Sequence, residues 1–267
     1  VVRRLGLTIF RRWLSLLSLL ALATSAHAAP PLDSAVLCYE NENVRPWRTK
    51  VGTGLNFEVL ENVATALSLR FRFEGVPWKR CLFELKNNRY IGAIGGSFKP
   101  ERMDYGIYPG GNPPDSSKAL YVERYVVVRR KGGTANWDGK RFEKLIHPAG
   151  VPLGYSVVDD LRRSGITVDD GARTAVDVLQ KLLFERIDVA VLLQGEMGAL
   201  LAEDAGLREK LEILPKPFVE KPYFLLLSHQ LVKTRPELAE QIWSGISRVR
   251  SNAAYQEKER QALGIVR

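Results

Sequence analysis

Between residues 35 and 97 the hydrophobic period of the chain switches back and forth in a way that leaves few folds open. Residues 35–40 (AVLCYE) are an apolar run of strand length. Phe57, Leu60, Val63, Ala64 and Leu67 then recur at helical spacing, a single stripe that the sequence opens with Asn56 as N-cap. Phe71 and Phe73 alternate with Arg70 and Arg72, so 70–75 reads as a second strand. Trp78, Cys81, Leu82 and Leu85 return to helical spacing with Asn87-Asn88 as the stop, and 91–97 (IGAIGGS) is a third strand. Strand, helix, strand, helix, strand implies a mostly parallel sheet with helices on its faces.

A second such alternation begins near Trp137. Before it, residues 120–130 form a long apolar-rich strand ending in Lys131-Gly132-Gly133, a first crossing between two halves. A strand end at 151–154 and a helix at 156–163 follow, then a short strand at 166–168. A helix at 172–184 comes next, with Val176, Leu179, Leu182 and Leu183 inward, followed by a buried strand at 187–193 and a helix at 196–202. Residues 211–214 are a short apolar run, and 223–228 (YFLLLS) make a buried strand that returns to the first half. Helices over 236–251 and 254–263 close the chain. The expected class is α/β: two mixed, mostly parallel sheets flanked by helices and joined by two hinge strands. One lobe is drawn from 29–126 and 222–267, the other from 127–221.

Residues 1–28 stand apart from this pattern. Arg3, Arg4, Arg11 and Arg12 form a basic head, residues 13–22 an apolar core, and Ala26-His27-Ala28 a small-x-small cleavage site. That is the layout of a secretory signal peptide, too short in its apolar part to span a membrane, and it predicts export to the periplasm. Its removal takes away four arginines and no acid, so the net charge of +9 falls to +5. With no Lys/Arg run on any one element, this mild basic bias argues against a nucleic-acid partner. Cys38 and Cys81 lie on elements that are neighbours in an α/β sheet and reach an oxidising compartment, as either a disulfide or two buried thiols. No Cys/His cluster has metal-ligand spacing, and no metal or cofactor is expected.

Residues 76–109 carry the most specific signal. Trp78-Lys79-Arg80 opens a helix, Gly95-Gly96-Ser97 ends a strand too small-sided to pack a core, and Lys99-Pro100-Glu101-Arg102 leads into Ile107-Tyr108-Pro109. Glycines there admit a ligand close to the backbone, and Arg102 offers a planar fork of donors to a carboxylate. This segment resembles the solute-binding protein family 3 of bacterial uptake systems, whose members carry a Trp-x-Arg helix, a small or hydroxyl-ended strand and a Thr-Pro-Glu-Arg turn. The resemblance extends over nearly the whole chain after residue 28. It implies the type II periplasmic-binding-protein fold, a monomer that captures a small polar solute, and a membrane permease or the outer domain of a sensor as partner.

In that family an Arg matching Arg102 and a Gly-Thr-Thr-like helix start matching Gly154-Tyr155-Ser156 hold a ligand carboxylate from the two lobes. Ligands of open α/β sheets lie at the carboxyl ends of the strands, and free N–H groups at a helix start favour an anion. On these grounds Arg102, Trp78, Ser97, Tyr39, Ser156, Tyr155 and Gln194 are the candidate ligand contacts, with Trp47 a further possibility. The family's ammonium-binding Asp has no counterpart, because its position falls on Leu193; Gln194 and Glu196 are the nearest polar side chains. Either Glu196 substitutes or the solute has no α-ammonium group. Gly154-x-Ser156-x-Val158 lacks the second Gly of a nucleophile elbow, so no catalytic residue is assigned. A dehydratase using a buried Glu196 as base and a scaffold with a degenerate site are the alternatives to a receptor.

Overall fold

The computed structural model describes residues 35–263; the expected signal peptide, the 29–34 leader and the last four residues lie outside the described residues. The first half runs β1 (Ala35–Glu40), α1 (Leu55–Ala66), β2 (Phe71–Val76), α2 (Trp78–Lys86) and β3 (Gly92–Ser97), and a 3-10 turn at Pro100–Asp104 follows. β4 (Tyr121–Arg130) leads to the two-residue strands β5 (Asn136–Trp137) and β6 (Phe142–Glu143) and then β7 (Ala149–Pro152). After these come α3 (Val157–Arg163), β8 (Val168–Ala172), α4 (Ala175–Leu183), β9 (Val189–Leu193), α5 (Gln194–Glu203), α6 (Ala205–Lys210) and β10 (Leu211–Ile213). β11 (Val219–Leu227), α7 (His229–Thr234), α8 (Pro236–Ser251) and α9 (Ala253–Ala262) complete the chain.

Two parallel triplets of strands carry the architecture. β2-β1-β3 pair in parallel, as do β8-β7-β9. The two expected sheets meet in one hydrogen-bonded path, β2-β1-β3-β11-β4-β9-β7-β8, because β4 and β11 pair antiparallel between them. Each long strand changes partner part-way along. β4 faces β11 from Tyr121 to Tyr125 and β9 from Tyr125 to Val128, while β11 faces β4 up to Tyr223 and β3 from Tyr223 onward. The strand ends that point toward the crossing are the carboxyl ends of β1, β3, β7 and β9, which is where an open α/β sheet presents its ligand site.

Several local expectations shift. Gly54, not Asn56, is the N-cap of α1. Its φ of 123° is left-handed territory, and a Cβ there would sit 2.7 Å from the Trp47 carbonyl oxygen. The first amides of α1 bond instead to the carbonyls of Pro46 and Trp47, which leaves Asn56 buried inside the first turn. In α4 the Thr174–Asp177 capping box starts the helix later than residue 172 and turns Ala175, Val178, Leu179 and Leu182 inward; Val176 points out. β8 runs over 168–172 rather than 166–168 because it is a polar edge strand without an apolar alternation. β11 starts four residues earlier than its apolar run, through Val219-Glu220-Lys221-Pro222. Cys38 and Cys81 are bonded, which fixes α2 to β1 directly beside the carboxyl end of that strand.

Candidate functional site

Arg102 sits at the heart of the seam between the two halves. Pro100 starts the 3-10 turn that aims it back at β3, and its side chain is buried. One terminal nitrogen donates to the Ser97 carbonyl at 2.6 Å and to Ser97 Oγ at 3.0 Å, the other to the Gly154 carbonyl at 2.8 Å. The guanidinium also lies 5.4 Å from the centre of the Trp78 ring, within cation–π range. Ser97 Oγ and Ser156 Oγ share a hydrogen bond of 2.7 Å, and Tyr108 donates to the Ser97 carbonyl. Ser156 occupies the N-cap position of α3, but its hydroxyl is turned away from the helix toward Ser97. Every acceptor that Arg102 reaches is a neutral oxygen, and among the described residues no carboxylate lies within ion-pair distance of it.

The other end of the seam is acidic. Glu40, at the end of β1, accepts from Arg48 Nη2 at 2.5 Å and from the Tyr155 hydroxyl at 3.1 Å. Arg48 also donates to the Glu40 carbonyl and to the Tyr121 hydroxyl. Glu123, buried on β4, accepts from Trp47 Nε1 at 2.9 Å and from the amides of Arg124 and Gly195. Trp47 stacks on Tyr121 and Tyr121 on Tyr223, and the Tyr223 hydroxyl bonds that of Tyr125. Glu196, on the first turn of α5, is 4% exposed and its Oε2 has no partner. Burial raises all three carboxylic acids: Glu40 upward, Glu123 to about 7 and Glu196 to about 8, the last helped by the nearby charge of Glu40.

Between the two ends lies a cavity of about 20 Å³ lined by Glu40, Arg48, Trp78, Ser97, Arg102 and Tyr125, among others. That is room for about one water, so a solute of amino-acid size needs the halves to part. A groove of about 620 Å³ opens beside Trp78 between Glu40–Glu42 and Pro77–Arg80 on one side and Leu153, Arg173 and Thr174 on the other. The volume is within the usual range of small-molecule sites.

No protein-family model matches the chain, and no curated protein matches its sequence. Solved structures do match its fold. A histidine kinase sensor domain with similarity to periplasmic binding proteins is 15% identical over 87% of this chain and 96% of its own, with a TM-score of 0.67. The substrate-binding protein of an amino acid ABC transporter is 15% identical over 86% and 99%, with a TM-score of 0.64. The arginine-, lysine-, histidine-binding protein ArtJ from the thermophilic bacterium Geobacillus stearothermophilus is 16% identical over 86% and 95%, also with a TM-score of 0.64. The chain has the two-lobed periplasmic-binding-protein fold.

On that fold, Arg102, Trp78, Ser97, Ser156 and Tyr155 converge on the seam between lobes. Tyr39 and Gln194 do not line the 20 Å³ cavity. Tyr39 points under the 41–54 loop, where its hydroxyl donates to the Lys50 carbonyl and its ring packs edge-on against Phe57. Gln194 is exposed at the first residue of α5. The residues that sequence reasoning passed over are Glu40, Arg48, Glu123, Tyr125 and Tyr223. Tyr121, Glu123 and Tyr125 alternate with exposed Val122 and Arg124, so the period of two marks them as one buried face of β4. Arg48 lies in an irregular loop and carries no such signal.

Proposed function

We propose that the chain is an exported solute-binding protein whose lobes, 29–126 with 222–267 and 127–221, close on a small polar solute bearing a carboxylate. It delivers that solute to a membrane transporter and performs no chemistry on it. The observation that carries this reading is Arg102: a buried guanidinium held between the lobes by neutral oxygens, each of which a carboxylate would outcompete as a charged, bidentate acceptor. Trp78 covers one face of that guanidinium, and Ser97 and Ser156 bring hydroxyls from either lobe to the same point. No helix among the described residues is long and apolar enough to cross a membrane, and the periplasmic address rests on the 1–28 pattern. The similarity to a histidine kinase sensor domain favours a second reading of the partner, in which the closed form is read by the outer domain of a sensor.

The test is thermal unfolding of the refolded, ligand-stripped protein against a panel of small carboxylates, amino acids and amines, with Arg102→Ala in parallel. A solute at one hundred times its dissociation constant adds about 2.7 kcal/mol of stability. A carboxylate-dependent shift in the wild type that is lost in Arg102→Ala is the expected result. A shift that survives in Arg102→Ala removes Arg102 from the site, and turnover of any bound solute overturns the binding-only reading.

A further inference from the structure

Among the described residues Glu196 is a buried acid at the seam with a carboxylate oxygen that has no partner. Its side chain is buried where the lobes meet. Within electrostatic reach of it are Glu40, Glu42 and Arg48 of the first lobe, Glu123 and Tyr125 of β4, and Tyr155, just before α3, of the second. A neighbouring cavity of about 40 Å³ is lined by Glu42, Asn43 and Lys50 on one side and by Thr174, Ala199 and Glu203, with Glu196 itself, on the other. The contact between lobes is tight here: a Cβ on Gly195 would lie 2.1 Å from the Arg45 carbonyl oxygen. The start of α5 thus rests directly on the 41–54 loop, and parting the lobes admits water to Glu196.

Within this enclosure the nearby donors already hold other acceptors. Arg48 directs its three guanidinium nitrogens at Glu40 and Tyr121, and Trp47 gives its N–H to Glu123. Lys50 pairs with Glu42 at 3.3 Å, and Arg45 lies 3.9 Å from Glu203 at an exposed position. An ionised Glu196 in the closed form would be a buried charge with an unpartnered oxygen facing other carboxylates. Such a group is neutralised most cheaply by a proton.

Building on the binding-protein reading above, we propose that closing the lobes loads a proton onto Glu196, so that the closed form is favoured in acid and released in alkali. The direction of its titration agrees: burial, with Glu40 next, raises it to about 8 in this closed arrangement against an ordinary value of 4.5. Closure therefore takes up one proton across the window between those values, and within it each pH unit changes the closing equilibrium by up to about tenfold. Solute affinity, which draws on closure, inherits the same slope. A periplasmic protein meets the acidity of the surrounding medium, so this would tune capture to external pH.

The experiment needs no solute. Spin labels are placed at Val51→Cys in the 41–54 loop and Phe184→Cys after α4, positions 81% and 72% exposed, with the native disulfide retained. Pulsed dipolar EPR at pH 5.5, 7, 8.5 and 9.5, with circular dichroism confirming a folded chain at each, reads the interlobe distance. The expected result is one short distance in acid and a growing longer component toward pH 9.5, with Glu196→Gln holding the short distance throughout. A distribution that does not change with pH in the unsubstituted background overturns the proposal. So does an identical response in Glu196→Gln, or a response abolished by Glu123→Gln alone. A cleft that ignores pH yet binds a carboxylate leaves the receptor reading intact. A cleft that opens with pH but binds nothing in the panel leaves the proton proposal intact, so the two can fail separately.

Discussion

The two ends of the interlobe seam hold opposite kinds of imbalance. Around Arg102 a cation is buried among neutral oxygens; around Glu196 and Glu123 carboxylic acids are buried with Arg48 already committed to Glu40 and Tyr121. At the first end the surplus positive charge is held by hydrogen bonds that an anion can replace, as the proposed solute site requires. At the second the surplus acidity cannot be discharged by rearrangement, and it is relieved by protonation or by opening. One seam thus carries a proposed point of attraction for solute and a point of tension between lobes, and the small cavity lined by Glu40, Arg48 and Arg102 lies between them.

One way to break this contrast is to remove the buried cation that pairs with Glu40. Arg48→Met leaves Glu40 and the Tyr121 hydroxyl without their partner in a site where the Arg48 side chain is 2% exposed. Breaking a buried pair from one side costs about 3–5 kcal/mol. Urea unfolding at pH 8 should show a loss of that size. At pH 5 the loss should shrink, because the raised Glu40 can then take up a proton. An equal loss at both values would mean that Arg48 acts through packing rather than charge.

The pH dependence of folding tests the same acidic end without removing a side chain. Glu123 and Glu196 have folded-state values raised to about 7 and about 8, above the ordinary 4.5 of the unfolded chain. For an acid raised on folding, stability is complete below the unfolded value and falls as pH climbs toward the folded one. The wild type should therefore lose stability from about pH 5 up to pH 7 through both groups and up to pH 8 through Glu196, at up to about 1.4 kcal/mol per pH unit for each. Glu196→Gln should flatten the curve between pH 7 and 8 while retaining the part due to Glu123. A slope unchanged by Glu196→Gln would place the tension elsewhere.

The contrast also explains what was legible in the sequence. The elements of the first lobe could be read because their hydrophobic periods are strong and because Gly95-Gly96-Ser97 and Pro100 punctuate them. The Arg102 end follows from such local signals: a small-sided strand, a Pro-started turn and an arginine two residues later. The acidic end is assembled from four separate places, β1, the 41–54 loop, β4 and α5, and only tertiary contact brings them together. Glu123 was nevertheless visible in part, since the alternation of β4 puts a charged residue between two buried tyrosines. The polar edge strand β8 was placed too early, at 166–168, and the polar start of β11 went unread for one reason: hydrogen-bonded backbone leaves no mark where side chains are not sorted by burial.

The smallest effect belongs at the solute end. Lys99, which follows β3, reaches across to Asp159 of α3 at 2.7 Å, with the two side chains 23% and 35% exposed. A partly solvated pair of this kind contributes about 0.2–1 kcal/mol and is screened by salt. Lys99→Ala should therefore weaken solute binding only severalfold at low ionic strength and not measurably in 0.5 M salt, where the Debye length falls to roughly 4 Å from about 30 Å at 0.01 M. The deeper bridge from Lys221 to Asp160, and the Ser97–Ser156 bond beside it, remain in that variant and keep the lobes in register. A loss that persists at high salt would show that Lys99 is part of the solute's own contact set, which would move the anion site outward from Arg102 toward the surface of α3.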